Sequence, residues 1–148
     1  MRPTDERPHP RTGRLCLDQT IHLIVSATQA LPVEVRFSYD AADPFAVRMD
    51  FTGCAGVAAP WVFARDLLYA GLQELSGIGH VRVWPDRRRH GAGSIRILLN
   101  GREGTAVLRV PAAPFEKWLT KTFSVVPAGT EQDHLYWDDV VRELLQRN

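Results

Sequence analysis

Cysteine and histidine are the residue types in this chain that could support nucleophilic or metal chemistry. A catalytic dyad would need Cys16 or Cys54 close to a base such as His22, His80 or His134, which a third group would orient. The spacing of these residues does not indicate such a dyad, and it does not match a zinc site. Both cysteines occur in apolar, strand-like surroundings, which predicts two reduced, buried thiols. We therefore expect no metal and no disulfide.

Carboxylates and glycines give no sign of catalysis either. The acidic side chains on the predicted helices include Asp66, Glu74 and Asp138, and no pair of them has a spacing that indicates acid and base roles. The segment GAG (residues 91–93) precedes a strand, whereas a dinucleotide-binding turn follows a strand and opens a helix. We therefore predict that the protein is not an enzyme and has no cofactor.

Arginines form the most distinctive charged pattern. Arg87, Arg88 and Arg89 make a compact cationic loop tip, and most strands carry an arginine on the side opposite to their apolar residues: Arg36, Arg48, Arg82, Arg96 and Arg109. If these faces align, a basic groove could follow a nucleic-acid backbone. The alternative is a solvated outer face offset by acids, and the net charge of only +1 makes nucleic-acid binding the less favoured interpretation. The loop itself is either a solvated turn or a binding site.

Trp84 alternates with Val81 and Val83, so it should lie on the other face of its strand. Either a helix or another subunit would cover it, because an exposed tryptophan on a strand is an interface candidate. The other tryptophans, Trp61, Trp118 and Trp137, are predicted to be in the core. The candidate partner-binding residues are Trp84, Arg87, Arg88 and Arg89.

Length and composition are those of one ordinary globular domain. The chain has 148 residues, of which 45% are hydrophobic and 24% charged. Residues 1–13 contain three prolines and no periodic apolar pattern, which predicts a flexible N-terminal tail followed by a single domain over residues 14–148. No stretch approaches the roughly 20 apolar residues that span a bilayer, and the N-terminus is unlike a secretory signal. We expect a cytoplasmic protein.

The order of elements indicates an α+β fold with a curved antiparallel sheet. Strands are predicted from Leu15 onward, with an irregularity near residues 18–20, then over residues 33–39, 47–51, 80–84, 94–99 and 105–110, with a short strand or extended entry at 61–63. One inserted helix carries Leu67, Leu68, Gly71, Leu72 and Leu75 on one face. Two helices end the chain, the first with Phe115, Trp118, Leu119 and Thr122 on one side, the second with Trp137, Val140, Val141, Leu144 and Leu145.

Several separated motifs occur in an order that is similar to a known family. They are WVFARDLL (residues 61–68) and GIGHVRVWP (77–85), together with LPV (31–33), YD (39–40), DP (43–44), AV (46–47) and VPAGTE (126–131). Over roughly residues 15–145 the chain resembles the SsgA-like (SALP) sporulation and cell division proteins of actinomycetes, in their SsgB-like form.

The resemblance implies a strongly curved, barrel-like sheet akin to the Whirly-type single-stranded DNA-binding proteins, assembled as a homotrimer. It also implies a non-catalytic adaptor of sporulation-specific cell division, which selects septum sites, recruits the tubulin-like protein FtsZ or assists septum and spore-wall maturation. The implied partners are further copies of the chain, other SsgA-like proteins and FtsZ or other divisome proteins, and the implied location is the division septum. A single-stranded nucleic-acid-binding module of the same architecture is the alternative.

Overall fold

Seven strands form one antiparallel sheet in the computed structural model, which describes residues 14–54, 59–86, 93–102, 104–134 and 144–146. Their order across the sheet is β4-β3-β2-β1-β7-β6-β5, and the sheet is nearly closed and barrel-like. The strands are β1 (Leu15–Ile24), β2 (Ala30–Tyr39), β3 (Ala46–Phe51), β4 (Trp61–Ala64), β5 (Val81–Asp86), β6 (Ser94–Gly101) and β7 (Gly104–Pro111). The predicted fold class is confirmed.

Helices are inserted after β4 and added after β7. Helix α1 spans Arg65–Gly71 and helix α2 spans Ala112–Val125, and short 3-10 turns cover Thr52–Cys54 and Glu131–His134. The predicted second C-terminal helix falls almost wholly outside the described residues, of which only 144–146 belong to it, and these three are helical. The predicted N-terminal tail, residues 1–13, also lies outside the described residues.

Alternation of apolar and polar residues builds the strands and places the core on one face of the sheet. In β2, Val35, Phe37 and Tyr39 are buried, while Arg36, between the first two, is exposed and points away from the core. The predicted irregularity in β1 is wrong, because β1 pairs with β2 in an unbroken register from Leu15 to Ile24. Gln19 simply occupies a core-side position, where its side-chain amide donates a hydrogen bond to the Pro111 carbonyl at 3.5 Å.

Helix α1 is shorter than the sequence pattern predicted. It ends at Gly71, so Leu72 is still buried but Leu75 is 63% exposed, and its predicted place on the buried face is wrong. The chain leaves the helix early because Ser76 forms an isolated antiparallel bridge with Val83, with N–H···O distances of 2.8 and 2.9 Å in the two directions. Gly77, with φ of +93°, makes the reversal that this bridge requires.

Helix α2 covers the core side of the sheet with the four residues that its sequence pattern predicted. Phe115, Trp118, Leu119 and Thr122 are all buried, and the prediction for this helix is confirmed. The ring of Phe37 meets that of Phe115 edge to face at 4.9 Å and lies 6.2 Å from that of Trp118. This aromatic cluster joins α2 to the middle of the sheet.

Candidate functional site

Trp84 lies on β5, one of the two edge strands, and is half-buried. Its neighbour Val83 is completely buried in the core, so Trp84 is on the outer face of the sheet, as its position in the sequence predicted. The outer face is defined here as the side of the sheet opposite to the core.

Helices α1 and α2 both pack on the core face. A Cβ atom built at Gly71 of α1 would lie only 2.2 Å from Cγ1 of Val83, so α1 approaches β5 closely from the side opposite to Trp84. Helix α2 packs on the core face through Phe115 and Trp118. Neither α1 nor α2 therefore covers Trp84. The predicted second C-terminal helix lies almost wholly outside the described residues, so helix cover and contact with another subunit both stay predictions.

The register between strands β5, β6, β7 and β1 brings Trp84 into line with basic side chains. Trp84 is opposite Arg96 on β6, Arg96 is opposite Arg109 on β7, and Arg109 is opposite His22 on β1. Directly opposed residues on one face have Cβ atoms about 4.5–5.5 Å apart. These four residues, Trp84, Arg96, Arg109 and His22, form what we call the outer row.

Two further outer-face arginines are neutralised locally. Nε of Arg36 lies 2.7 Å from a carboxylate oxygen of Asp18, and Nε of Arg48 lies 3.0 Å from Asp50. The hydrogen bond from Arg36 lowers the pKa of Asp18 below its ordinary value. The continuous basic groove that the sequence allowed is therefore interrupted on the β1–β2–β3 side of the sheet. Arg36 and Arg48 behave there as parts of exposed ion pairs.

The predicted arginine loop follows β5 in the sequence. Arg87, Arg88 and Arg89 lie outside the described residues, so their role in partner binding stays a prediction. Asp86 and Ser94, which flank this segment, are paired in register at the ends of β5 and β6.

Sequence reasoning missed a buried ion pair beneath α1. Arg65 is 1% exposed, and its guanidinium donates to a carboxylate oxygen of Glu131 at 2.9 Å and to the carbonyl of Thr122 at 3.0 Å. Its Cζ atom lies 3.9 Å from the ring centroid of Phe123 and 4.9 Å from that of Tyr39. The available signal was a charged residue inside the otherwise apolar block at residues 61–68. Arg65 thus ties the start of α1 to α2 and to the loop that follows α2.

Protonation equilibria around Arg65 reflect this arrangement. Hydrogen bonds from the Glu131 backbone N–H, from Arg65 and from the Gly129 N–H lower the pKa of Glu131. Burial raises the pKa of Tyr39 to about 12, and the phenol donates a hydrogen bond to the Pro44 carbonyl at 3.0 Å. Both shifts favour the states that hold the cluster together, an ionised Glu131 and a neutral Tyr39.

Groups suited to catalysis are not brought together within the described residues. Cys16 is free but exposed, so the prediction of a buried thiol there is wrong. The reason is that the Cys16 side chain points to the face of β1 opposite to the one that carries the buried Ile21. His80 donates a hydrogen bond from Nδ1 to the Asn100 carbonyl oxygen, 3.0 Å away. The side chains of Cys54 and His134 are outside what the structure describes. In the described part of the chain, no three metal-ligating side chains cluster.

An open cleft of about 910 Å³ lies at one end of the sheet, between the ends of β1, β2 and β3 and the β6–β7 hairpin. Trp61 lines it and is half-buried, in partial agreement with its predicted core position, whereas Trp118 is fully in the core. Trp137 lies outside the described residues. Apolar side chains dominate the wall: Leu23, Val33, Phe51, Leu99 and Leu108. The cleft therefore offers a mainly apolar surface.

Helix lengths also bear on membrane association. Among the described residues, no helix has the length and apolar character that crossing a bilayer requires.

Comparison with protein families gives a match over the central part of the chain. The family model described as "Streptomyces sporulation and cell division protein, SsgA" matches residues 33–131. The sporulation-specific cell division protein SsgB of Streptomyces coelicolor is 44% identical over 125 residues, which are 84% of this chain and 90% of that protein. SsgB of Salinispora tropica is 38% identical over 131 residues, 87% of this chain and 91% of the relative.

Two solved structures have a similar fold. The first is from work on mutations in SsgB that correlate to longitudinal cell division during sporulation of Streptomyces coelicolor. It gives a TM-score of 0.78 at 43% identity, covering 82% of this chain and 95% of that one. The second is an SsgA-like sporulation-specific cell division protein from Thermobifida fusca, with a TM-score of 0.75 at 32% identity, covering 88% of this chain and 94% of that one.

Proposed function

Because this chain belongs to the SsgA family of sporulation and cell division proteins, we propose that it acts in sporulation-specific cell division as a non-catalytic adaptor. In this role it would reside in the cytoplasm, be recruited to division septa and work through protein contacts. Its partners would be further copies of the chain, other SsgA-like proteins, and FtsZ or other divisome proteins.

The observation that carries this proposal is the half-buried Trp84 on the outer face of an edge strand. Aromatic residues and arginine are enriched in protein interfaces, and the outer row supplies both in one line. Leu98 and Val107 face each other beside that row and are also half-buried, which adds apolar area to the same surface. A surface of this composition fits a protein partner.

Self-association is part of the proposal. A homotrimer with cyclic symmetry would bury the apolar part of the outer face of each copy. Light scattering at tens of micromolar should give three times the monomer mass of 16.6 kDa. A monomer mass under these conditions would contradict self-association but would leave the adaptor role to be tested in cells.

The adaptor role is tested with fluorescent fusions of single-site variants in a sporulating actinomycete that lacks its own copy. We expect Trp84→Ala to reduce septal fluorescence severalfold while the melting temperature stays nearly unchanged. Phe45→Ala is the matched control, because Phe45 is an aromatic residue with 45% exposure on the β2–β3 connection and is not part of the outer row. Replacement of Arg87, Arg88 and Arg89 together by Ser tests the arginine loop in the same assay.

Normal septal localisation of both the Trp84→Ala and the triple arginine variant would place the partner surface elsewhere. Binding of single-stranded nucleic acid is the second candidate function, favoured by the alignment of Trp84 with Arg96 and Arg109. Salt-sensitive binding of single-stranded DNA that is lost in the Trp84 variant would support this candidate over the adaptor.

A further inference from the structure

A pocket of about 290 Å³ lies beside the outer row, where Arg96 and Arg109 face the connection between β1 and β2. Its walls come from β6, from β7, from the adjoining ends of β1 and β2 and from the connection between them: Ile24, Ser26, Ala27, Thr28, Gln29, Ala30, Arg96 and Arg109. The lining therefore contains two arginines and no carboxylate. That imbalance is local, since the chain as a whole carries a net charge of only +1.

The two arginines are held in an unfavourable arrangement. Arg96 and Arg109 are directly opposite each other on adjacent antiparallel strands, where like charges destabilise the pair. Arg96 is partly neutralised, because its Nε donates to a carboxylate oxygen of Asp86 at 2.8 Å. Arg109 has no ion pair with any residue that the structure describes. An anion in the pocket would supply a counter-charge for Arg109.

Polar side chains on the opposite wall are able to donate hydrogen bonds. The Ser26 hydroxyl oxygen accepts from the Thr28 backbone N–H at 3.3 Å, which leaves the Ser26 O–H proton available to an acceptor. Thr28 and Gln29 add a hydroxyl and a side-chain amide to the same wall. A pocket that combines two guanidinium groups with these donors suits an oxyanion that accepts several hydrogen bonds, such as a carboxylate or a phosphate group.

We propose that this pocket binds a carboxylate side chain from an acidic segment of a partner protein. Arg96 already pairs with the carboxylate of Asp86, which does not line the pocket, so Arg109 is the guanidinium that an incoming carboxylate is expected to contact first. A nucleic-acid backbone would need a continuous basic track, whereas Arg36 and Arg48 on the other half of the outer face are already paired with acids. The inference rests on the proposed function for the view that the partner is a protein.

Binding is measured with purified full-length protein and a fluorescein-labelled peptide of eight glutamates, by fluorescence anisotropy at low salt. We expect Arg109→Gln to lower the affinity for the peptide at least about tenfold, because hydrogen bonds to a charged group are lost while most of the side chain remains. Arg109→Lys keeps the positive charge but lacks the paired N–H donors of the guanidinium, so its affinity for the peptide should lie between those of the wild type and Arg109→Gln. Arg48→Gln is the matched control, because Arg48 is an outer-face arginine that already pairs with Asp50.

The outcomes separate the pocket from its alternatives. Failure of the wild-type protein to bind the glutamate peptide, or equal losses for Arg109→Gln and Arg48→Gln, would overturn the proposal. Tighter binding of an eight-residue oligothymidylate that depends on Arg109 would overturn it too, since the pocket would then serve phosphate. Thermal melting verifies that each variant is folded. The peptide-binding assay does not depend on septal localisation, so the pocket proposal and the adaptor proposal can fail separately.

Discussion

Replacing Gly71 by alanine should destabilise the protein by forcing α1 away from β5. The new Cβ would stand 2.2 Å from Cγ1 and 2.6 Å from Cβ of Val83, whereas ordinary contacts begin near 3.4 Å. More than about 1 Å of separation must therefore be opened between the helix and the strand. Val83 is completely buried and cannot move into solvent, so the strain has to be shared by α1 and the core.

Overpacking of a well-packed core by one methyl group typically costs about 1–3 kcal/mol. The gain in helix propensity from glycine to alanine is at most about 1 kcal/mol, and less at the last residue of a helix. We expect a net destabilisation of about 1–2 kcal/mol. For a domain of this size, each kcal/mol lowers the melting temperature by roughly 2–4 °C.

Urea unfolding followed by circular dichroism measures the effect in a double-mutant cycle with Val83→Ala. Because the smaller side chain removes the Cγ1 contact but leaves the Cβ contact, we expect the double variant to lose about 1 kcal/mol less than the sum of the single losses. Gly93→Ala is the control, since nothing lies within 4 Å of a Cβ at that exposed position. Strict additivity, or equal losses for Gly71→Ala and Gly93→Ala, would refute the close packing of α1 on β5.

Three further predictions concern the Arg65 cluster. Arg65→Met should lower the melting temperature much more than Arg48→Met, because it leaves the buried carboxylate of Glu131 unpaired, whereas the Arg48 pair is exposed. Glu131 has a lowered pKa in the folded state, so its contribution to stability is complete above the ordinary value of 4.5 and is lost as the pH falls below it. Urea titrations of wild type and Glu131→Gln should therefore converge on acidification. An ultraviolet titration should show one tyrosine with a pKa of about 12, missing in Tyr39→Phe, because burial favours the neutral phenol.

Sequence patterns predicted the strands and α2 because one periodic feature determined each of them. Alternation in β2 placed Val35 and Phe37 in the core, and the helical spacing of Phe115 and Trp118 identified the buried face of α2. The end of α1 was misjudged because Leu75 keeps the helical spacing although the chain has already turned. The bridge between Ser76 and Val83 that ends the helix is a tertiary contact, which periodicity does not contain.

The candidate site was predicted only in part for a similar reason. The alternation of side chains along β5 was enough to place Trp84 on the outer face, but which residues lie beside it depends on strand order and register. The sheet places β6 and β7 next to β5, so Arg96 and Arg109 join Trp84 in one row although they are distant in sequence. The ion pair of Arg65 and Glu131 likewise joins residues 66 positions apart. Sequence spacing is no guide to such pairs, because the fold brings them together.

Helix α1 explains how the edge strand that carries Trp84 can present a defined surface. An edge strand has unpaired backbone groups and tends to be less constrained than a central one. Here α1 is fixed at its first residue by the buried Arg65 and at its last by Gly71 against Val83, and Ser76 then satisfies the backbone of Val83. The strand is thus held from its core side, while neither α1 nor α2 covers its outer face. Loosening α1 should therefore weaken partner binding together with stability, whereas substitution of Trp84 should weaken partner binding alone.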